Sequence, residues 1–112
     1  MHQHLKFFSH ITKNDVAIAG GKGASLGEMS RLRLGYAGQA DYINPVPAGF
    51  VVLASAFDRF IEETNLKEEI SARLGEVDPG DTNTVDCASN VLRDVIHDTP
   101  MQKDLTDEIL KA

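Results

Sequence analysis

The sequence predicts an α+β chain, predominantly helical, in which a small incomplete sheet packs with about five helices. Three observations lead there. Only Leu5-Lys6-Phe7-Phe8 and Gly49 to Leu53 combine β-branched or aromatic residues in runs short enough for strands. Elsewhere apolar residues recur at three- and four-residue spacing, which places them on one helical face. Those periodic stretches also open on Thr, Ser or Asn and close on glycine, as helices do.

Taken in order, Leu5 to Phe8 reads as a short strand, and Thr12-x-x-Asp15 as a capping box for one helical turn ending near Gly20. From Lys22 a helix follows, with Leu26, Met29 and Leu32 or Arg33 at helical spacing and Gly35 as its stop. Gly49 to Leu53, preceded by Pro45 and Pro47, reads as the second strand. Ser55 with Asp58 is expected to cap a helix whose apolar stripe is Phe57, Phe60 and Ile61. Asn65 with Glu68 repeats that logic for Leu66, Ile70 and Leu74, ending at Gly75. Glu76 to Asn83 is turn-rich, and from Thr84 the residues Val85, Ala88, Leu92 and Val95, widened by Val91 and Ile96, predict a core helix. Thr99-Pro100-Met101-Gln102 reads as a cap with proline at the first helical position, opening a last helix that presents Leu105 and Ile109. No internal repeat or low-complexity tract is present.

Composition narrows the function classes. At 112 residues the chain, 1–112, is one modest domain, able to bury about two-thirds of its unfolded surface. Eleven Lys and Arg against seventeen Asp and Glu give a net charge of -6, which repels nucleic acid and anionic membranes. The longest apolar run, around Phe50 to Ala54, is too short to span a bilayer, and the first residues lack a signal-peptide core, so a cytoplasmic module is expected. Cys87 is the single cysteine; no internal disulfide is available to it, and beside Ala88 it reads as a small buried residue. His2 and His4 read as a solvated terminus open to adventitious metal binding, and His97 as flanking a helix end where a cation is favoured.

The chemistry-bearing segment is Gly20-Gly21-Lys22-Gly23-Ala24-Ser25-Leu26-Gly27-Glu28-Met29, a lysine among glycines at a helix entrance. Glycine lets the backbone approach a ligand closely, and a helix N-terminus offers N–H groups with partial positive charge. Lys22 adds a full charge, with no acidic neighbour until Glu28, so phosphate is the natural guest. A Walker loop is excluded, because Gly23 follows Lys22 and Val16 stands where its first glycine belongs; the G-x-G-x-x-G fingerprint fails at Leu26. The competing reading is a glycine-eased helix start with a solvated lysine.

Three ordered blocks carry a family resemblance. GGKGASLGEM, then VPAGFVVLASAFDRFI from Val46, resembles the opening of the ATP-binding domain of phosphoenolpyruvate synthases and pyruvate phosphate dikinases. The run from Val91 to Gln102, continuing to Leu105 and Ile109, is most similar to the synthase branch. The resemblance implies the N-terminal portion of an ATP-grasp-like nucleotide domain. It also implies a parent enzyme that converts ATP, pyruvate and water into AMP, phosphoenolpyruvate and phosphate through a phosphohistidine, with magnesium. ATP, pyruvate or phosphoenolpyruvate and the remaining domains of the enzyme are the implied partners, without nucleic acid or membrane. Pyruvate phosphate dikinases and rifampin phosphotransferases share the first two blocks, and a non-catalytic helical interaction module is the alternative from another class.

Residue by residue, Lys22 matches the family's phosphate-contacting lysine, and Gly20, Gly21 and Gly23 shape that contact. The family's arginine motif, magnesium carboxylates and phosphorylated histidine match nothing here, so the chain is expected to be a fragment with no catalytic residue or metal ligand of its own. His2, His4, His10 and His97 have no claim to the phosphocarrier role. One departure stands out: the link from Ser30 to Val46, with Tyr36 and Tyr42, is longer than the family's and is expected to be a surface loop. Phe50, Val52 and the helix stripes are expected to expose apolar surface where the family places later strands.

Overall fold

The computed structural model describes residues 4–32 and 44–112. Gly35, Tyr36, Tyr42 and His2 lie outside the described residues. Among the described residues there are five helices and a two-stranded antiparallel sheet, in the order β1 (Leu5–Phe7), α1 (Val16–Met29), β2 (Phe50–Val52), α2 (Ala54–Glu63), α3 (Leu66–Gly75), α4 (Thr82–Asp98) and α5 (Lys103–Lys111). This is the predominantly helical α+β arrangement that the sequence predicts. The chain divides into two compact units, Met1–Phe57 with Asp104–Ala112, and Asp58–Lys103.

In the first unit β1 pairs with β2 in the register Leu5 to Val52, Lys6 to Val51 and Phe7 to Phe50. The Phe7 and Phe50 rings meet edge-on at 5.9 Å, a favoured geometry for a cross-strand aromatic pair. The ladder extends at both ends, from Phe8 N–H to the Gly49 carbonyl (3.0 Å) and from Leu53 N–H to the His4 carbonyl (2.9 Å). His4 is buried, contrary to the expectation of a solvated terminus. Its Nδ1 lies 3.1 Å from Ser55 Oγ, and its backbone N–H donates to Glu108 Oε1 at 3.0 Å, so one residue ties β1 to α2 and α5. Phe50 is half-buried, while Val52 is 45% exposed.

After a 3-10 turn over Phe8–His10, the chain buries Ile11 completely and forms the predicted capping box. Thr12 N–H donates to Asp15 Oδ2 (2.8 Å), and the Thr12 hydroxyl accepts from Asn14 N–H (3.2 Å). The 3-10 turn Lys13–Asp15 then leads directly into α1. The two helical stretches expected on either side of Gly20 are the two halves of this one element, broken where Gly20 takes φ 75° and ψ 169°. The apolar spacing misleads about which face is covered. Gly23, Ala24 and Gly27 are buried, whereas Leu26 is half-buried and Met29 and Leu32 are exposed. Close approach selects the small residues: a Cβ on Gly27 would stand 2.5 Å from the Ile11 carbonyl oxygen and 2.7 Å from Ile11 Cβ.

Other boundaries differ from the predicted ones for local reasons. Ser55 is the second residue of α2 rather than its cap, and its hydroxyl meets His4 instead. Of the predicted stripe Phe60 is buried, Ile61 is half-buried and Phe57 is exposed. Asn65 precedes α3 in the left-handed region (φ 59°) with no side-chain cap, serving as the joint between helices that asparagine tolerates better than most residues. Leu66 is buried, but Leu74 is exposed.

The second unit's loop is shorter than predicted, because Asp81 caps α4 by accepting from Asn83 N–H at 3.0 Å. No residue of α4 is fully buried; its apolar stripe is half-covered and packs on α3, which corrects the expectation of a core helix. Cys87 is exposed, which corrects the expectation of a buried thiol. Thr99 terminates α4 by donating its hydroxyl to the Val95 carbonyl (2.6 Å), and α5 begins at Lys103. The extended residue before proline accounts for the end of α4, since proline's ring disfavours the helical conformation at Thr99. Leu105 is buried, as the periodicity predicts.

Two predictions follow from this geometry. Gly27→Ala is expected to destabilise by about 1–3 kcal/mol through overpacking, while Gly75→Ala, which meets open space, stays within about 0.5 kcal/mol in urea unfolding; equal effects would show that the helix–loop contact is loose. Asp15 gives the second. Its carboxyl is held below its ordinary value of 3.8 by the Thr12 N–H first and by Lys6 Nζ at 3.2 Å next. A depressed carboxylate stabilises above its unfolded-state value, and that contribution disappears as the pH falls through the lower folded-state value. Asp15→Asn is therefore expected to flatten the acid limb of stability below about pH 4, measured as the unfolding midpoint against pH.

Candidate functional site

The break at Gly20 makes Gly21 the opening of a second helical segment, with Lys22 and Gly23 in its first turn. An ordinary L-residue resists φ 75°, so a glycine at 20 lets the chain turn without strain. Gly23 faces the sheet: a Cβ there would lie 3.2 Å from Val51 Cγ2, a tight contact to which Val51 would have to yield by a few tenths of an ångström. Gly21 has open space around it, and Gly21 and Lys22 are exposed. The four residues singled out by the sequence thus divide their roles: Gly20 breaks the helix, Gly23 seats it, and Gly21 and Lys22 present it to solvent.

Lys22 makes no hydrogen bond or ion pair among the described residues. Its nearest acidic neighbour in sequence, Glu28, is engaged elsewhere, accepting from Lys13 N–H at 2.6 Å and lying 3.8 Å from Arg31 Nη1. The ammonium is therefore uncompensated beside a helix start, where the backbone's partial positive charge adds to it. A shallow depression lined by Gly21, Lys22, Ser25, Leu26 and Met29 adjoins it, and Leu26 and Met29 give this floor an apolar character. A cation beside an apolar shelf suits a ligand with a phosphate at one end and an apolar or aromatic group at the other. The Ser25 hydroxyl has no carboxylate or imidazole beside it among the residues that line the depression, so the chemistry on offer is charge neutralisation and orientation.

The histidines do not converge on this site. His4 is committed to Ser55, His10 is exposed in its 3-10 turn, and His97 is exposed at the end of α4, 3.1 Å from Asp98. Among the described residues no three His, Cys, Asp or Glu side chains gather to hold a metal ion. The long link after α1 is closed at its base: Asn44 Nδ2 donates to the Ser30 carbonyl (2.7 Å), and Asn44 Oδ1 accepts from Val46 N–H (2.9 Å).

Sequence reasoning missed the residues that hold the site from behind. Gly27, Ser30 and Arg31 fasten the far end of α1, and Ser25, Leu26 and Met29 shape the depression. The spacing of Gly23 and Gly27, with Ala24 between them, was the available signal, because small residues four apart mark a helix face in close contact.

Comparison with known proteins gives the family of the chain. The family model described as pyruvate phosphate dikinase, AMP/ATP-binding domain, matches residues 16–112. A probable phosphoenolpyruvate synthase from Methanothermobacter thermautotrophicus is 34% identical over 112 residues, covering 100% of this chain and 15% of that protein. A second, from Staphylothermus marinus, is 39% identical over 107 residues, covering 96% and 12%. The phosphoenolpyruvate synthase of Helicobacter pylori is 31% identical over 112 residues, covering 98% and 13%. The chain thus spans 12% to 15% of the length of these relatives. No helix among the described residues is long and apolar enough to cross a membrane. With its lysine displayed at a broken helix and the family model covering that helix and everything after it, the chain belongs to the pyruvate phosphate dikinase AMP/ATP-binding domain family.

Proposed function

We propose that this chain is the N-terminal nucleotide-binding piece of a phosphoenolpyruvate synthase of the cytoplasm, and that Lys22 contacts the phosphates of ATP. The observation that carries the reading is the exposed, uncompensated Lys22 in the first turn after the Gly20 break. The names of the relatives favour the synthase branch over the dikinase and antibiotic-modifying branches. In the reaction proposed, ATP, pyruvate and water give AMP, phosphoenolpyruvate and phosphate by way of a phosphohistidine on another domain.

Phosphoryl transfer demands positioning and charge stabilisation more than covalent chemistry from the protein. Lys22 supplies one mobile point charge for that purpose, and the exposed Gly21 leaves the backbone beside it open to the ligand, while Gly20 turns the chain and Gly23 seats the segment on the sheet. Magnesium accompanies ATP in the proposed reaction. We assign its ligands to other parts of the enzyme, as the family resemblance implies.

Lys22→Ala in the full-length protein is expected to slow the nucleotide half-reaction on the order of 10²-fold, with urea stability changed by less than about 0.5 kcal/mol. Exchange on the pyruvate side is expected to survive. Equal loss of both half-reactions, or a large fall in melting temperature, would assign Lys22 to structure instead. The 112-residue chain alone is expected to bind ATP weakly and to form no AMP from ATP and pyruvate; robust turnover by the purified chain would refute the division of labour proposed here.

A further inference from the structure

Because α1 is broken at Gly20, the direction of the segment that carries Lys22 is not inherited from the turn Val16 to Ala19. It is set by the segment's own buried face, Gly23, Ala24 and Gly27, and by its far end. There Arg31 spans the gap between the helix and the preceding loop: Nη1 donates to the Gly27 carbonyl (2.9 Å), and Nη2 donates to the Ile11 carbonyl and approaches the Ser9 carbonyl at 3.5 Å. Ser30 Oγ lies near both the Gly27 and the Phe8 carbonyls (2.6 and 3.3 Å), but a hydroxyl has one hydrogen and serves one of them at a time. The guanidinium has five donors in a rigid fork and holds both sides at once. At the front, the contact of Gly23 with Val51 resists motion of the helix toward the sheet and does nothing against motion away from it.

We propose that Arg31 is a positioning residue for the nucleotide half-reaction, fixing the aim of Lys22 through α1. The proposal rests on the reading of Lys22 as a phosphate contact. Lys22 lies five residues before Gly27, or about 7 Å along the helix axis, so a tilt of about 8° at the clamp displaces it by about 1 Å. Displacement on that scale is enough to cost a well-oriented reaction about 10²-fold. Since Arg31 is partly exposed, water takes up some of the lost hydrogen bonding, and the expected effect is correspondingly smaller.

The test is a double-mutant cycle in the full-length protein, read by AMP formation in the ATP half-reaction. Arg31→Met is expected to slow that step by about tenfold beside an intact Lys22, and by less than about twofold in a Lys22→Ala background, because an absent lysine cannot be misaimed. Equal slowing in both backgrounds means that Arg31 serves folding alone and overturns the proposal. Arg31→Lys covers the case in which Arg31→Met does not fold: its ammonium keeps the charge but loses the fork, so a partial loss that vanishes beside Lys22→Ala supports the proposal, and a full wild-type rate overturns it. A slow Lys22→Ala protein with a harmless Arg31→Met removes this inference alone. A fully active Lys22→Ala protein removes the phosphate reading and this inference together.

Discussion

The first unit depends on the missing side chain at Gly27. With a Cβ there the helix would collide with the Ile11 backbone at 2.5 Å, and every contact behind that face would have to move. Ile11 is fully buried, and its own carbonyl is one that the Arg31 fork holds. The close approach and the polar clamp therefore reinforce each other. Without the approach the guanidinium has no second carbonyl within reach, and without the guanidinium that carbonyl loses a charged partner at a tightly packed contact.

The same constraint links fold to charge. A helix seated by glycines on its inner face spends little of its long side chains on packing, so Lys22 and Met29 are left toward solvent and Leu26 is only half-covered. The break at Gly20 then places Lys22 at the start of a helical segment rather than in its middle. In mid-helix the backbone N–H groups are satisfied internally and offer nothing to an anion. Segment, break and lysine are thus one device, read by an anion as backbone dipole plus ammonium.

Much of this was legible in the sequence. Both strands, the Thr12–Asp15 box, the glycine-rich turn around Lys22 and the helices carrying Leu66 and Leu105 follow from local chemistry that short segments encode. What was not legible depends on partners distant in the chain. Periodicity pointed to Leu26, Met29 and Leu32 as the covered face, but a close approach favours the smallest residues, and hydrophobicity does not register a glycine contact. His4 looked like part of a frayed terminus because its burial is made by Ser55 and Glu108, which lie 51 and 104 residues away. Cys87 and the α4 stripe were expected in a core, yet a stripe shows only that a face wants cover, and α4 finds it only in part. At the site, the lysine and glycines were readable as a motif, whereas the Arg31 clamp was not, because the groups it joins across the helix and loop are backbone carbonyls with no sequence signature.

The chain's charge places a limit on what Lys22 achieves by itself. A net charge of -6 does not draw an anionic nucleotide in from a distance, and at physiological salt such long-range fields are screened beyond about 8 Å in any case. Recognition is therefore local. An exposed ammonium at about 4 Å from a phosphate gains only about 1 kcal/mol in bulk water, rising to about 4 kcal/mol where the surroundings are partly desolvated. The depression beside Lys22 is shallow and open, so the lower figure applies to it as it stands. Moving toward the higher one requires exclusion of water from above the apolar shelf of Leu26 and Met29. A surface that closes over that shelf therefore strengthens Lys22 without touching it, and the energetics of the contact are shared between this helix and whatever covers it.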